Sequence, residues 1–248
     1  LTHFDAGLDF NDMGFQRRAS LNEAEWTFQR QQSVDDESSA LRNKSWTLEL
    51  QARSNDSGDR LPLVFIGNRS WGYRDGAELS LDPYVESAGY NDLISRGNGL
   101  VYLPQRTSIY LEYDTRRFAS TQYEVGGGYR EEGLGGGALE LWGGVQWFAR
   151  ENLTLEASFG WTDSSDWLIW DSGTRLGRYQ REQLSTDLNL DWFPAPGHEF
   201  RVKLQWLALS AFDARAVRIG GGGRLHASDE VLEDFVVDNL GLQLRYRW

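Results

Sequence analysis

Asn239-Leu-Gly-Leu-Gln-Leu-Arg-Tyr-Arg-Trp248 puts Leu240, Leu242, Leu244, Tyr246 and Trp248 on one face of an extended chain, and Gly241, Gln243, Arg245 and Arg247 on the other. Successive side chains of a strand point to opposite faces, so a strict period of two marks a β-strand between two different environments. The same period recurs upstream: Ala24, Trp26 and Phe28; Trp46, Leu48, Leu50 and Ala52; Ile109, Leu111 and Tyr113; Tyr123, Val125 and Tyr129; Leu139, Leu141, Val145 and Trp147. Leu153, Leu155, Ala157, Phe159 and Trp161 continue in phase to Trp167 and Ile169, which predicts one long strand. Leu184, Leu188, Leu190 and Trp192 follow, then Phe200, Val202, Leu204, Trp206 and Ala208. No stretch has a helical period, and the predicted secondary structure is nearly all β.

Composition says what those two environments are. Trp, Tyr and Phe make up 13% of the 248 residues, 11 of them Trp, yet the mean hydropathy is only −0.55. Apolar outward faces, a polar interior and aromatic girdles reconcile the two, which is the pattern of a membrane β-barrel. The longest apolar run, Leu61-Pro-Leu-Val-Phe-Ile66, is far short of the ~18 residues of a spanning helix. The expected fold is therefore an all-β, antiparallel transmembrane β-barrel forming a single domain over residues 1–248. At ~9–11 residues per spanning strand, the chain holds about 12 strands, within a range of about 10–14, and a larger complete barrel is left open. The net charge of −12 excludes nucleic acid as the main partner, since phosphate binding needs a basic surface. Without Cys there is no disulfide scaffold and no thiolate site.

Leu1-Thr-His-Phe-Asp-Ala-Gly7 has no initiator Met, basic segment or apolar segment and already alternates, so a signal peptide is not read there. With an odd strand count, that opening leads us to expect the C-terminal part of a longer protein. Short turns on the periplasmic side and long loops outside orient barrels of this class. On that rule residues 210–235, 171–177, 131–137, 82–106 and 31–44 lie outside, and 194–197, 150–152 and 117–120 inside; about eleven strands are read with 61–82 taken as one irregular strand, or about thirteen if it is split.

Two stretches carry resemblances. The spacing of Asn239, Gly241, Leu244 and Tyr246, with Trp248 as terminal aromatic, resembles the C-terminal assembly signal of Gram-negative outer-membrane barrels. Asn11-Asp-Met-Gly-Phe-Gln-Arg-Arg18, with Leu8-Asp-Phe10 before it and Glu25-Trp26 after it, resembles a C-terminal barrel domain of unknown function. That domain follows family-9-like carbohydrate-binding modules in long outer-membrane proteins. Gln16 stands where that family has an apolar residue. The resemblance implies an outer membrane of a Gram-negative-type bacterium, the barrel-assembly machinery as a partner during biogenesis, and saccharides as candidate solutes. Within the motif Asn11, Asp12 and Gly14 suit a periplasmic turn, beside Phe15, Arg17 and Arg18.

Candidate functional residues follow from the polar phase. Ser185, Asp187, Asn189 and Asp191 precede the 194–197 turn, Arg201, Lys203 and Gln205 follow it, and Gln243, Arg245 and Arg247 close the chain. Asp187, Asp191, Arg201, Lys203, Arg245 and Arg247 are thus the expected lumen-lining charges, either a wall of cross-strand pairs or a transverse field that selects solutes. Trp26, Trp147, Trp161, Trp192, Trp206 and Trp248 are the expected membrane-interface aromatics.

Catalytic signals are thin. The three histidines are His3, His198 and His226, and only His226 has Ser228, Asp229 and Glu230 nearby. Neither a zinc spacing nor a phosphate-loop pattern occurs, so no cofactor, metal or catalytic residue is assigned. The acidic stretches Asp35-Asp-Glu37, Asp163 with Asp166, and Asp229, Glu230, Glu233 and Asp234 supply the oxygen ligands Ca²⁺ takes, although a solvated surface has the same composition. Three functions remain: a channel or transport element, with saccharides suggested by the resemblance; a plugged barrel that anchors or displays a binding domain or a protein complex at the outer membrane; and an outer-membrane hydrolase with its site in the outer loops. The lipid bilayer is a partner in all three.

Overall fold

Alternating segments that are apolar on one face and polar on the other pair readily side by side, and the computed structural model, described here for residues 1–4 and 20–248, is built almost entirely of such pairs. Its strands are β1 (Thr2–Phe4), β2 (Leu21–Ser33), β3 (Leu41–Ser54), β4 (Val64–Tyr73), β5 (Glu78–Glu86), β6 (Gly89–Asn91), β7 (Val101–Leu103), β8 (Arg106–Asp114), β9 (Thr121–Glu132), β10 (Gly136–Arg150), β11 (Leu153–Ser172), β12 (Arg175–Trp192), β13 (Glu199–Ile219), β14 (Leu225–Ala227) and β15 (Phe235–Arg247). Thirteen form one antiparallel sheet in the order β1-β2-β3-β4-β5-β8-β9-β10-β11-β12-β13-β14, with β15 also on β13; β6 and β7 make a separate hairpin. β14 pairs with Val217–Ile219 and β15 with Glu199–Ala211, so they share one edge of β13 and the sheet is twelve positions wide. The outermost strands, β1 and β15, are not paired with each other, and the described sheet is open.

Up-and-down order sorts the connections into two sets. Residues 55–63, 87–105, 133–135, 173–174 and 220–234 lie at one end, called the loop end here; 34–40, 74–77, 115–120, 151–152 and 193–198 lie at the other, the turn end. This corrects the expected placement of 31–44, which shares an end with the 194–197 turn. The reason is local. Residues 61–82 hold not one strand but β4 and the start of β5, joined by a tight connection in which the Tyr73 N–H donates to the Ala77 carbonyl at 2.8 Å. One extra strand reverses every earlier end assignment. The expected outer stretches 82–106 and 210–235 are also partly strand, since β5 reaches Glu86 and β13 reaches Ile219.

A second correction concerns phase. The stripe of β11 does not continue from Trp161 to Trp167. A register shift between Ser164 and Trp167 adds a residue on one strand, and a single-residue slip turns every later side chain to the other face. Trp167 therefore packs against Tyr179, Leu209 and Ala211 rather than in line with Trp161.

Candidate functional site: the polar face and its loop-end cap

Cross-strand register assembles each face from aligned rows. In β11, β12, β13 and β15 the rows Leu155–Leu190–Val202–Leu244 and Ala157–Leu188–Leu204–Leu242 lie on one face. That apolar face continues through Leu139 and Leu141 of β10, Val125 and Tyr129 of β9, Ile109 and Leu111 of β8, and Leu48 and Leu50 of β3. It is open to the surroundings: Trp26 is 58% exposed, Phe159 52% and Leu242 62%. The band ends in polar residues toward the loop end, where Asp163 faces Glu182 and Ser210 lies near Asp238. Toward the turn end it finishes on Leu153, Trp192, Phe200 and Tyr246. From Leu153 to Trp161 the band runs about 27 Å along the strand at ~3.4 Å per residue.

Aromatic side chains collect at its two margins. Trp46, Trp71, Tyr113, Tyr123, Trp147, Trp192 and Phe200 stand toward the turn end, and Trp26, Tyr129, Trp161 and Trp206 toward the loop end. The Trp206 indole Nε1 donates to Asp238 Oδ1 at 2.7 Å, so this ring meets a polar partner at the border of the band. Trp248 lies just beyond β15 and is 90% exposed. In the terminal strand Leu244 and Tyr246 belong to the apolar face, opposite Val202 and Phe200, while Asn239 and Gly241 belong to the other, opposite Leu207 and Gln205.

The opposite face holds the expected charges. Asp191, Arg201 and Arg245 form one row, Asn189, Lys203 and Gln243 the next, and Asp187, Gln205 and Gly241 a third. Arg201 Nε lies 3.0 Å from Asp191 Oδ1 and also pairs with Glu199, while Gln205 Nε2 donates to Asp187 at 2.5 Å. Arg245 stands opposite Arg201, and Arg247 opposite Glu199. The six residues thus share a face, but only Asp191 and Arg201 make the charge pair across the ladder that their spacing suggested. Charge on this face is divided. Glu78, Asp114 and Glu124 stand directly opposite one another on β5, β8 and β9, their row continues through Gly144 and Ser158 to Asp187, and Glu112, Glu156 and Asp191 stand within two rows of it. β13 and β15 supply Arg201, Lys203, Arg245 and Arg247.

Toward the loop end the same face is closed by side chains and by the β6–β7 hairpin. Arg130 lies 2.9 Å from both Glu132 and Glu140, and Glu132 takes the Ser164 hydroxyl and Arg181, the latter at 3.5 Å. Arg181 is 8% exposed and lies 4.9 Å over the Trp167 ring. Arg106 donates to Glu86 at 2.7 Å. Glu86, Arg106, Arg130 and Glu132 wall a cavity of about 250 Å³ that also touches Tyr84, Ile94, Leu103 and Trp167. The hairpin forms its lid: Val101 and Leu103 pack against Leu168, Leu176 and Val217, and Arg96 lies 4.8 Å over the Trp170 ring.

Several of these residues were not singled out in the sequence. Trp142 and Tyr110 lie on the polar face, the Trp142 indole donating to Glu112 at 3.0 Å and the two rings 6.0 Å apart. They have room because Gly126 and Gly128 lie beneath them; a Cβ on either glycine would run into those rings. Alternating glycines on a polar phase beside Glu140-Leu-Trp142 were the available signal for this pairing.

In the outer-loop stretch proposed for a hydrolase, His226 and Glu230 have separate partners. His226 sits on β14 opposite Arg218, with its ring against Gly220, while Glu230 is taken by Arg175 at 2.7 Å and by Arg218 at 2.6 Å. These guanidiniums hold the Glu230 carboxyl below its usual range. Other acidic stretches are likewise engaged internally: Asp166 accepts from Arg178 at 2.6 Å and from the Leu134 N–H at 2.7 Å, and Asp234 accepts from the Ala214 N–H at 3.1 Å. Among the described residues no group of three or more His, Cys, Asp or Glu could hold a metal ion, so the Ca²⁺ expectation finds no site there. Asn11, Asp12, Gly14, Phe15, Arg17 and Arg18 fall outside the described residues, flanked by the paired Phe4 and Leu21 at the loop end.

No protein-family model matches the chain, and neither a curated protein nor a solved structure matches it.

Proposed function

We propose that the chain is a transmembrane β-barrel of a Gram-negative-type outer membrane that passes small polar solutes along its polar face. One observation carries this: an exposed apolar band runs across the sheet while the opposite face of the same strands is polar and charged. Water on both sides would leave that band unsatisfied, whereas lipid outside and water inside suit both faces. A strand tilt of ~35–45° turns the band into a height on the order of 20 Å, close to the ~25 Å band of such barrels. Aromatic rings at both margins suit the two membrane interfaces, and the polar border at Asp163, Glu182 and Asp238 suits the headgroups.

Solute choice follows from the divided charge. An acidic wall on β5–β12 facing a basic strip on β13 and β15 creates a transverse field, and the resemblance of residues 11–18 makes a saccharide the first uncharged solute to try. Planar-bilayer recording of the purified chain, with liposome swelling in neutral saccharides, tests the proposal. Discrete conductance steps and saccharide-dependent swelling are expected; a folded, inserted protein that neither conducts nor swells liposomes sinks the transport claim.

A second reading, a plugged barrel that anchors a partner, is favoured by the hairpin buried at the loop end. Leu103→Asp, which opposes that packing, distinguishes the two. A silent parent with a conducting variant supports the plug, and equal conductance supports the open path.

A further inference from the structure

We infer that the half-buried rings of Tyr110 and Trp142, with the polar hollow beside them, form a stacking subsite for a pyranose ring on the polar face. This deepens the transport reading above and rests on it. Cross-strand register sets the two rings out in a crossed pattern. Tyr110, Gly128 and Glu140 stand in one row of β8, β9 and β10, and Glu112, Gly126 and Trp142 in the next. Each row has a ring at one end, a carboxylate at the other and a glycine between, and the second row reverses the first.

The glycines govern how the rings lie. A Cβ on Gly126 would run into Cε2, Cζ2 and Nε1 of Trp142, and one on Gly128 into Cδ1 of Tyr110. The rings therefore lean in from both sides over the backbone of β9, 6.0 Å apart and 53° from parallel. Glycine weakens a strand interior and marks a close approach there; at Gly126 and Gly128 it is the two rings that approach. With one side of each ring toward β9, the other is turned away from the sheet, and both rings are only half-buried. The Trp142 indole donates to Glu112 at 3.0 Å and stands beside Glu124, so its place is fixed.

Next to Trp142, toward the turn end, lies a hollow of about 350 Å³ whose lining includes Glu124, Gly144, Gln146, Glu156, Ser158 and Asn189. That volume is in the range of small-molecule clefts, ~300–1,000 Å³. Gln146 donates to Glu156 at 2.5 Å, which sets both side chains. Carboxylates only accept hydrogen bonds, whereas amides donate and accept, and a hydroxyl can meet either. A pyranose has the matching form, with hydroxyls around its rim and C–H groups on its faces. Its C–H face covers the aromatic surface, and its rim hydroxyls reach the carboxylates and amides. A tetraalkylammonium ion would also stack on the rings, but it offers the amides of Gln146 and Asn189 no hydrogen bond, which carries a cost.

Binding is measured separately from transport. The purified chain is folded in lauryldimethylamine oxide micelles, a detergent without sugar, and titrated with cellobiose and with maltose by saturation-transfer NMR. Transfer to the sugar ring protons is expected for the parent protein. Trp142→Leu should weaken the affinity about tenfold, Trp142→Phe much less, and Trp147→Ala, on the apolar face opposite Leu155, not at all. Tyr110→Leu takes the place of Trp142→Leu if that variant does not fold. Mannitol, which has hydroxyls but no ring, should not compete. The inference is overturned if the folded parent transfers no saturation to either disaccharide, if Trp142→Leu binds as the parent does, if Trp147→Ala loses as much, or if mannitol competes equally. It is also overturned if tetramethylammonium binds in a Trp142-dependent way and the disaccharides do not. Failure of the transport reading has a different signature: the parent binds the disaccharides in micelles but stays silent in bilayers and swelling assays. A parent that conducts and shows no saturation transfer fails the subsite alone.

Discussion

At the loop end Val101 and Leu176 are fully buried, and Leu103, Leu168 and Val217 complete a cluster around them. At the turn end the connections are held by single local contacts instead. Asp36 accepts from the Ser38 N–H at 2.9 Å and hydroxyl at 2.7 Å, Arg74 donates to the carbonyls of Val34, Asp36 and Ser39, and His198 meets the Tyr246 hydroxyl at 2.6 Å. Between the ends lies the exposed apolar band. The loop end thus carries an apolar core of its own, as a water-soluble domain does, whereas the rest of the sheet keeps its apolar surface outside and depends on what covers it. On the proposed reading of the band as lipid-facing, a perturbation should have opposite signatures in the two regions, local unfolding in one and failed insertion in the other.

The largest effect is expected in the core of the loop end. Leu176→Ala should cost ~2–5 kcal/mol in the opening free energy of residues 87–105, read by hydrogen exchange, with insertion unchanged. A variant that loses insertion instead would break the comparison. Next comes the band: Leu242→Arg, near its middle, should weaken bilayer insertion by ~2–4 kcal/mol, while Gln243→Arg, one residue on and facing the other way, should change it little. Equal effects would mean that the two faces are not distinguished by solvent.

The polar face near the loop end is sharpened by Glu132→Ala. Removing this carboxylate leaves Arg181, 8% exposed, without its nearest counter-charge, at a cost of about 3 kcal/mol measured by denaturant unfolding in detergent. Double substitution with Arg181→Met should recover much of the loss. A smaller effect is expected from Tyr246→Phe, about 1 kcal/mol or less, since the His198 contact is exposed.

Smallest is the response to acid. Hydrogen bonds from Arg175 and Arg218 lower the Glu230 carboxyl, and those from Ser38 lower Asp36. A depressed folded-state pKa adds stability that is complete above the ordinary carboxylate range and is lost as pH falls through the lowered value. Limited proteolysis of residues 220–234 should stay slow down to about pH 4 and accelerate below it; acceleration near neutral pH would assign the docking to other groups.

Much of this was legible because a strand displays its environment every second residue. Leu240 to Tyr246 and Leu153 to Trp161 needed no tertiary information, since period two and the identity of each face follow from the chain's own geometry. Asp187, Asp191, Arg201, Lys203, Arg245 and Arg247 were placed on one face for the same reason. Their pairing was not, because it depends on register between strands: Arg245 faces Arg201, not an acid. Trp142 was missed because Leu141 beside it holds the apolar phase, and Trp167 because a one-residue shift after Ser164 is silent in composition.

By itself, then, the sequence determined an all-β chain of two-faced strands with an aromatic-rich apolar side, since alternation is a local property of the extended backbone. The end at which residues 34–40 lie, how residues 61–82 split between two strands, the burial of the 87–105 segment and the pairing of charges across the polar face were decided only by tertiary structure. Each of these depends on a count or register accumulated along many strands, where one extra residue or strand reverses the outcome while leaving the local pattern unchanged.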